Sequence, residues 1–316
     1  MSNVSMRDHF GKALIDLGIR HREIVVLDAD LATSTRTSFF QERFPKRFIN
    51  VGISEQDMLG IAAGLASSGK IPIATGYAMF TVGRAWEQIA NSVARQNLNV
   101  KIVVSHAGLS NFADGSSHQH IFDLATMRVL PNMKVVVPAD AFEAVKALEA
   151  IIVEEGPAYL RLARGKTPAV YREGQEFTLG RANIIKKGAD AAIIASGVMV
   201  SQALEASRRL KEDGIEVSII DMHTIKPLDT EVLLDAAKET GAIVTVEEHS
   251  LLGGLGGAVS EFLSQENPTP IKMVGIRDRF GESSRDYWRL LAKYGLTSEA
   301  VEKAVHEVLE MKKKVI

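Results

Sequence analysis

The chain has 316 residues, 46% hydrophobic and 24% charged, with 37 basic against 39 acidic side chains, eight histidines and no cysteine. That balance excludes a mainly disordered polymer and gives no net field to draw the chain onto nucleic acid or an anionic membrane. It also excludes disulfides, thiolate metal sites and cysteine nucleophiles. The length favours two domains, no apolar run approaches the ~20 residues of a membrane span, and the start carries no secretory pattern, so a cytoplasmic location is expected.

In chain order, short β-branched runs alternate with helical patterns, as in parallel βαβ units. Strands are predicted at 23–30, 71–76, 101–106, 134–138 and 158–164. The segment 167–187 is rich in Gly, Pro and charge and reads as a linker, with room for one or two strands of its own. A second alternation predicts strands at 190–196, 216–221, 242–247 and 272–276, with amphipathic helices over 200–213 and 230–240. Continuous apolar strands imply burial on both faces. The expected fold is therefore α/β, with two doubly wound domains spanning 1–166 and 188–316. Ligands in such sheets collect at the carboxyl ends of the strands, which directs attention to the loops there.

Three of those loops concentrate unusual residues. In Gly52-Ile-Ser-Glu-Gln56, Ser54 can cap a helix with an acidic first turn, or Glu55 can carry chemistry. In Thr75-Gly-Tyr-Ala-Met-Phe80, Tyr77 and Phe80 are either core aromatics or a stacking wall for a flat ring. The segment His106–His120 holds three of the histidines with Asp114. It suits a solvated loop, a metal pair His118-x-His120, or a polar pocket that moves protons near neutral pH. Further on, Arg164-Gly-Lys166 could anchor a phosphate. Gly253-Gly-Leu-Gly-Gly257 has neither the dinucleotide glycine order nor a Walker lysine, and reads as close strand–helix packing.

Taken together and in order, Asp28-Ala-Asp-Leu-Ala-Thr-Ser34, Gly-Ile-Ser-Glu55-Gln, Tyr-Ala-Met-Phe80, His106 through Asp114-Gly-x-x-His118-Gln, and Leu-Ala-Arg164 resemble the transketolase family. The resemblance covers essentially the whole chain and corresponds to the family's pyrimidine-binding and C-terminal domains. It implies thiamine diphosphate as cofactor, with a divalent cation, Mg2+ or Ca2+. It also implies that Glu55 hydrogen-bonds the aminopyrimidine and activates it from a buried site between subunits with a raised pKa. Phe80 and Tyr77 would cradle the ring, and Asp30 would lie near the cofactor. His106 and His118 would contact the sugars and relay protons, and Asp114 would recognise a sugar hydroxyl. Arg7, Ser34 and Arg164 would hold the sugar phosphate.

The family's diphosphate motif, Gly-Asp-Gly followed by Asn, has no counterpart beyond Ala113-Asp114-Gly115 inside the histidine loop. The expectation is therefore one subunit of a split transketolase, active only with a separate amino-terminal, diphosphate-binding subunit of about 250–300 residues. That partner would hold the diphosphate and cation, and an α2β2-type heterotetramer would be the smallest complete assembly. No metal ligand is expected in this chain. The substrates implied are sugar phosphates, of the pentose phosphate pathway or a more specialised route, and neither nucleic acid nor membrane. Three alternatives stand beside this reading: the β subunit of a 2-oxoacid dehydrogenase E1 component, a 1-deoxyxylulose-5-phosphate synthase-like enzyme, and a non-catalytic scaffold subunit. His223, Glu247, Glu248 and His249 belong to the C-terminal domain, which the resemblance places away from the cofactor. No catalytic residue is expected there.

Overall fold

A computed structural model describes residues 3–314. Five strands of the first sheet begin as predicted runs, and their burial explains the runs. β1 (Asn3–Ser5) precedes β2 (Ile24–Asp28), β3 (Phe48–Asn50), β4 (Ile71–Tyr77), β5 (Lys101–Ser105), β6 (Lys134–Val136) and β7 (Ala158–Arg161). β8 (Lys166–Pro168) and β9 (Asn183–Lys186) follow, and then β10 (Ala191–Ala195), β11 (Val217–Asp221), β12 (Thr224–Lys226), β13 (Ile243–Ser250) and β14 (Ile271–Ile276).

The first sheet has seven strands in the order β12-β6-β7-β5-β4-β2-β3, and the second has five in the order β14-β13-β10-β11-β9. Pairing is parallel except for β12 on β6 and β9 on β11, which close one edge of each sheet. β1 and β8 form a separate antiparallel pair that ties the start of the chain to the residues after β7.

Side chains alternate between two apolar layers, as the period-two pleat requires. On one face Ile24, Val26, Ile73 and Val103 pack with Leu14 and Leu17 of helix Met6–Arg20 and Leu148 and Ile151 of helix Ala141–Val153. On the other, Leu27, Ala74, Ile102 and Val104 pack with Met58 and Leu59 of helix Glu55–Ser67 and with Ile89 and Val93. The same two layers continue through Ile193 and Ile194 of β10, so each layer runs across both sheets.

The structure adds elements that periodicity did not reveal. β3 and β12 have three residues each, too short for an alternation to register. β12 comes from the carboxy-terminal half of the chain yet completes the first sheet. The two helical turns after β4, Met79–Arg84 and Ile89–Ala94, are wound as π-helix, a form that recurs near functional sites. Among the described residues, no helix is long and apolar enough to cross a membrane.

Candidate active site

The loops after β2, β3, β4, β5 and β7 leave the carboxyl edge of the first sheet side by side, because those five strands are parallel neighbours. Arg7, at the start of helix Met6–Arg20, ties two of them together. Its Nε donates to the Arg164 carbonyl at 2.8 Å and its Nη1 to the Ser34 carbonyl at 2.5 Å. Burial and the nearby positive charges of Arg36 and Arg164 lower its pKa. Arg164 in turn donates to Asn111 Oδ1 at 3.0 Å, stands 3.6 Å from Asp114 and lies over the Phe112 ring. Arg7, Ser34, Arg164 and Asp114 are thus brought together, with more positive than negative charge between them. That excess suits an anionic group.

His106 ends β5 in a left-handed backbone conformation, φ +60°, and is 1% exposed. Its Nδ1 lies 2.8 Å from Ser105 Oγ, and its ring stacks on Tyr77 at 3.9 Å. Burial, with Arg7, Arg164, Arg36 and His118 nearby, pushes its pKa down to about 2, so the imidazole is neutral and can accept a hydrogen bond from a hydroxyl. His118 is half-buried, edge-on to Phe80 at 5.0 Å, with Nδ1 3.0 Å from Ser117 Oγ. The segment between the two histidines is closed at its neck by Gly108, whose N–H donates to the His120 carbonyl.

Glu55 is the first residue of its helix, and Ser54 before it makes no side-chain capping bond. The Glu55 side chain is only 3% exposed, and Arg84 Nη1 donates to its Oε2 at 2.8 Å. The structure supplies this carboxyl with a cationic partner from the π-helical turn, and the same guanidinium lies 5.4 Å over Phe80. Tyr77 and Phe80 stack at 6.3 Å with their planes 24° apart. Asp30 is exposed, with φ +64°, and accepts from Asn50, whose own side-chain oxygen caps the Gly52 turn ahead of Glu55.

Sequence reasoning missed four residues of this constellation. Asp28 is fully buried and accepts from Leu31 N, Thr35, Thr37 and Thr75, which fixes the turn that presents Ser34. Its signal was present: an Asp ending an apolar strand and followed by three threonines. The roles of Arg36, bonded to Asp8 at 2.6 Å, Asn111 and Arg84 depend on contacts across loops, which no local pattern encodes.

The metal reading of His118-x-His120 is not supported. His120 turns into the core against Phe122, His118 packs on Phe80, and among the described residues no third ligand joins them. One trio with metal-ligand chemistry does occur among the described residues, Asp213, Glu302 and His306, on outer helices of the second half. The donor set at the first sheet fits the ring end of a heterocyclic cofactor: half-buried aromatic faces at Tyr77 and Phe80, and a buried carboxylate at Glu55 whose Oε1 is not engaged by Arg84.

Comparisons with known proteins give the chain's family. Residues 2–169 match the family description "Transketolase, pyrimidine binding domain", and residues 180–301 match "Transketolase, C-terminal domain". A "Putative transketolase C-terminal section" of Methanocaldococcus jannaschii is 45% identical, covering 98% of this chain and 96% of that protein. A "6-deoxy-6-sulfo-D-fructose transketolase subunit" of Clostridium sp. is 40% identical, covering 97% and 95%. A 1-deoxy-D-xylulose-5-phosphate synthase of Symbiobacterium thermophilum is 37% identical over 95% of this chain but only 46% of its own length. Among solved structures, a split gene transketolase described as an inactive beta4 tetramer superposes with TM-score 0.91 at 48% identity, covering 98% of this chain and 99% of that one.

Proposed function

The chain belongs to the transketolase family, and on that premise we propose that it is the pyrimidine-binding and C-terminal subunit of a split, thiamine-diphosphate-dependent transketolase. It transfers a two-carbon ketol unit between sugar phosphates once joined by a separate diphosphate-binding subunit. The observation that carries this reading is the convergence of Arg7, Arg164 and Asp114 with a buried neutral His106, beside Glu55 and the Tyr77–Phe80 faces.

Thiamine diphosphate supplies a nucleophilic carbon that carries the two-carbon unit between sugars. Glu55, Phe80 and Tyr77 would hold its pyrimidine end. This chain's residues do the rest of the work on the sugar. Arg7 and Arg164, with the Ser34 loop, bind the phosphate end and set its distance from the ring site. His106, neutral and short of solvent, accepts a hydrogen bond from a sugar hydroxyl, and His118 moves protons at the more open side. Asp114 orients a hydroxyl while Arg164 holds it in place. Asp30 borders the same edge. The domains assigned are 1–166 and 188–316, with 167–187 joining them, and the assembly is α2β2 with the cation and diphosphate on the partner. The inactive beta4 neighbour supports a chain of this kind associating with itself yet needing that partner for turnover.

A second reading, a 1-deoxyxylulose-5-phosphate synthase-like enzyme, draws on the 37% identical relative. An assay separates the two. The chain, its diphosphate-binding partner, thiamine diphosphate and Mg2+ are given a ketose phosphate and an aldose phosphate, or pyruvate and an aldose phosphate. Turnover with the first pair supports transketolase. Turnover only with pyruvate supports the second reading.

A further inference from the structure

The carboxy-terminal domain reaches into the histidine loop at both of its ends. Glu248 on β13 is 2% exposed at its side chain, and its Oε1 accepts the Leu109 N–H at 2.7 Å. Its Oε2 accepts the Tyr287 hydroxyl at 2.8 Å. Gly108, with φ +60°, leaves room for this approach, since a Cβ there would stand 2.7 Å from both Glu248 Oε1 and Arg161 Nη2. Arg161 closes the back of the contact by donating to the Glu248 carbonyl at 3.0 Å while bound to Asp123 at 2.7 Å. At the loop's far end, the Ser284 N–H donates to the Phe112 carbonyl at 2.7 Å, and Gln119 donates to the Glu282 carbonyl at 3.0 Å. Tyr287 also stacks on Phe112, the ring beneath Arg164.

We infer that Glu248, steadied by Tyr287, is a positioning residue for the active site: it fixes the loop that carries His106, Asp114 and His118. The residue touches neither cofactor nor substrate. It acts by satisfying the backbone of a fully buried loop start, Leu109, which has no water to replace the lost acceptor. The neighbouring Glu247 provides the contrast. On a strand it faces the other way, and its carboxylate accepts Leu255 and Gly256 N–H groups at the start of a helix in its own domain. This role is compatible with the expectation that the carboxy-terminal domain lies away from the cofactor, because Glu248 meets the loop and not the ring site. The clamp stands on the geometry alone, whereas its catalytic consequence rests on the transketolase reading above.

The test compares Glu248→Ala, Glu248→Gln and Tyr287→Phe, with Glu247→Gln as a control, in the full chain by amide hydrogen exchange and in the reconstituted complex by kinetics. Glu248→Ala should speed exchange across 107–119 by roughly tenfold, while β5 and β10 keep wild-type protection. Tyr287→Phe should produce a smaller change at the same peptides. Glu248→Gln keeps an acceptor for Leu109 and should restore most of the protection. In the complex, Glu248→Ala should raise KM for the sugar phosphate with thiamine diphosphate affinity unchanged, and Glu247→Gln should leave both at wild-type values. Wild-type exchange at 107–119 in both Glu248→Ala and Tyr287→Phe would overturn the clamp. Faster exchange with an unchanged KM and kcat would overturn its role in positioning. A wild-type complex with no ketol transfer would count against the enzymatic reading alone, because the exchange arm still decides the clamp.

Discussion

Arg84 Nη1 stands 2.8 Å from Glu55 Oε2, and the guanidinium is half exposed while the carboxylate is 3% exposed. The pair joins the helix after β3 to the π-helical turn after β4, the two elements that flank the Tyr77–Phe80 faces. An Arg that reaches in from solvent can release or share the carboxylate when a ring nitrogen arrives, at a cost limited by its own hydration. Replacing Glu55 with Gln keeps the volume and removes the carboxylate that pairs with Arg84 and that the proposed function assigns to the cofactor ring. Turnover in the complex should fall by at least about a hundredfold, as expected for loss of a group that acts on the reacting centre. Thermal stability of the chain alone should change by no more than about 1 kcal/mol. Steady-state kinetics and a melting curve check the two halves.

The guanidinium groups of Arg7 and Arg164 are predicted to recognise the phosphate rather than to assist chemistry. Arg164→Ala should raise KM for phosphorylated sugars by one to two orders of magnitude, roughly the 1.5–3 kcal/mol of a charged hydrogen bond. KM for the same sugars without phosphate should hardly move. Comparing the two substrate sets in one preparation distinguishes recognition from a general loss of structure.

Asp28 supports the same pocket from beneath. Four donors point at its carboxylate; Thr35 and Thr37 fix the loop beside Ser34, and Thr75 ties it to β4. Asp28→Ala leaves those buried donors unpaired and should destabilise the chain by about 2–4 kcal/mol. Asp28→Asn keeps one acceptor oxygen and should cost about half as much. Urea unfolding monitored by far-UV circular dichroism gives both values.

A pH dependence follows from the junction between the two sheets. Glu143 and Asp221 lie within hydrogen-bonding reach of one another, where Asp221 also accepts the Tyr171 hydroxyl and Glu143 accepts Asn183. Burial pushes Asp221 up to about 7 and raises Glu143 as well, so the folded chain holds a proton there that the unfolded chain releases near pH 4. Between about pH 4 and 7 the unfolded state binds fewer protons, and this pair's contribution to stability falls as the pH rises. Glu247 and Glu248, also pushed up to about 7 by burial, act in the same direction. His223 and His249, pushed down to about 4 by burial, act in the opposite one. The difference between wild type and Asp221→Asn isolates the pair. It should shift by on the order of 2 kcal/mol in favour of the variant between pH 5 and pH 7.5, read from denaturant midpoints.

Much of this arrangement was legible in the sequence for physical reasons. Val25–Leu27, Ile102–Val104 and Ile193–Ile194 are apolar on both faces because helices cover both, and a continuous run is the direct mark of that burial. His106, Asp114 and Arg164 stood out because they follow such runs, where a parallel sheet presents its loops, and Glu55 stood out in the acidic turn after Ser54. The rest depended on contacts that no local pattern encodes. β12 joins a sheet built some ninety residues earlier, and only its pairing with β6 gives it a role. Arg84 meets Glu55 across two elements, a contact that its place in the sequence does not announce. Glu248 sat at a strand end with three other titratable residues, and what separates it from Glu247 is the direction of the side chain. Alternation along β13 sets that direction, but the loop it meets lies 139 positions away.

On the proposed function, this chain completes a site which moves two carbons intact from one sugar phosphate to another. A ketose phosphate labelled with 13C at C1 and C2, incubated with an unlabelled aldose phosphate, thiamine diphosphate, Mg2+ and the chain together with its diphosphate-binding partner, tests it by 13C NMR. The account predicts that the two labelled carbons arrive still bonded to one another in the lengthened acceptor, and that the chain without its partner yields none. Label that stays in the donor while unlabelled pyruvate carbon enters the acceptor would contradict it.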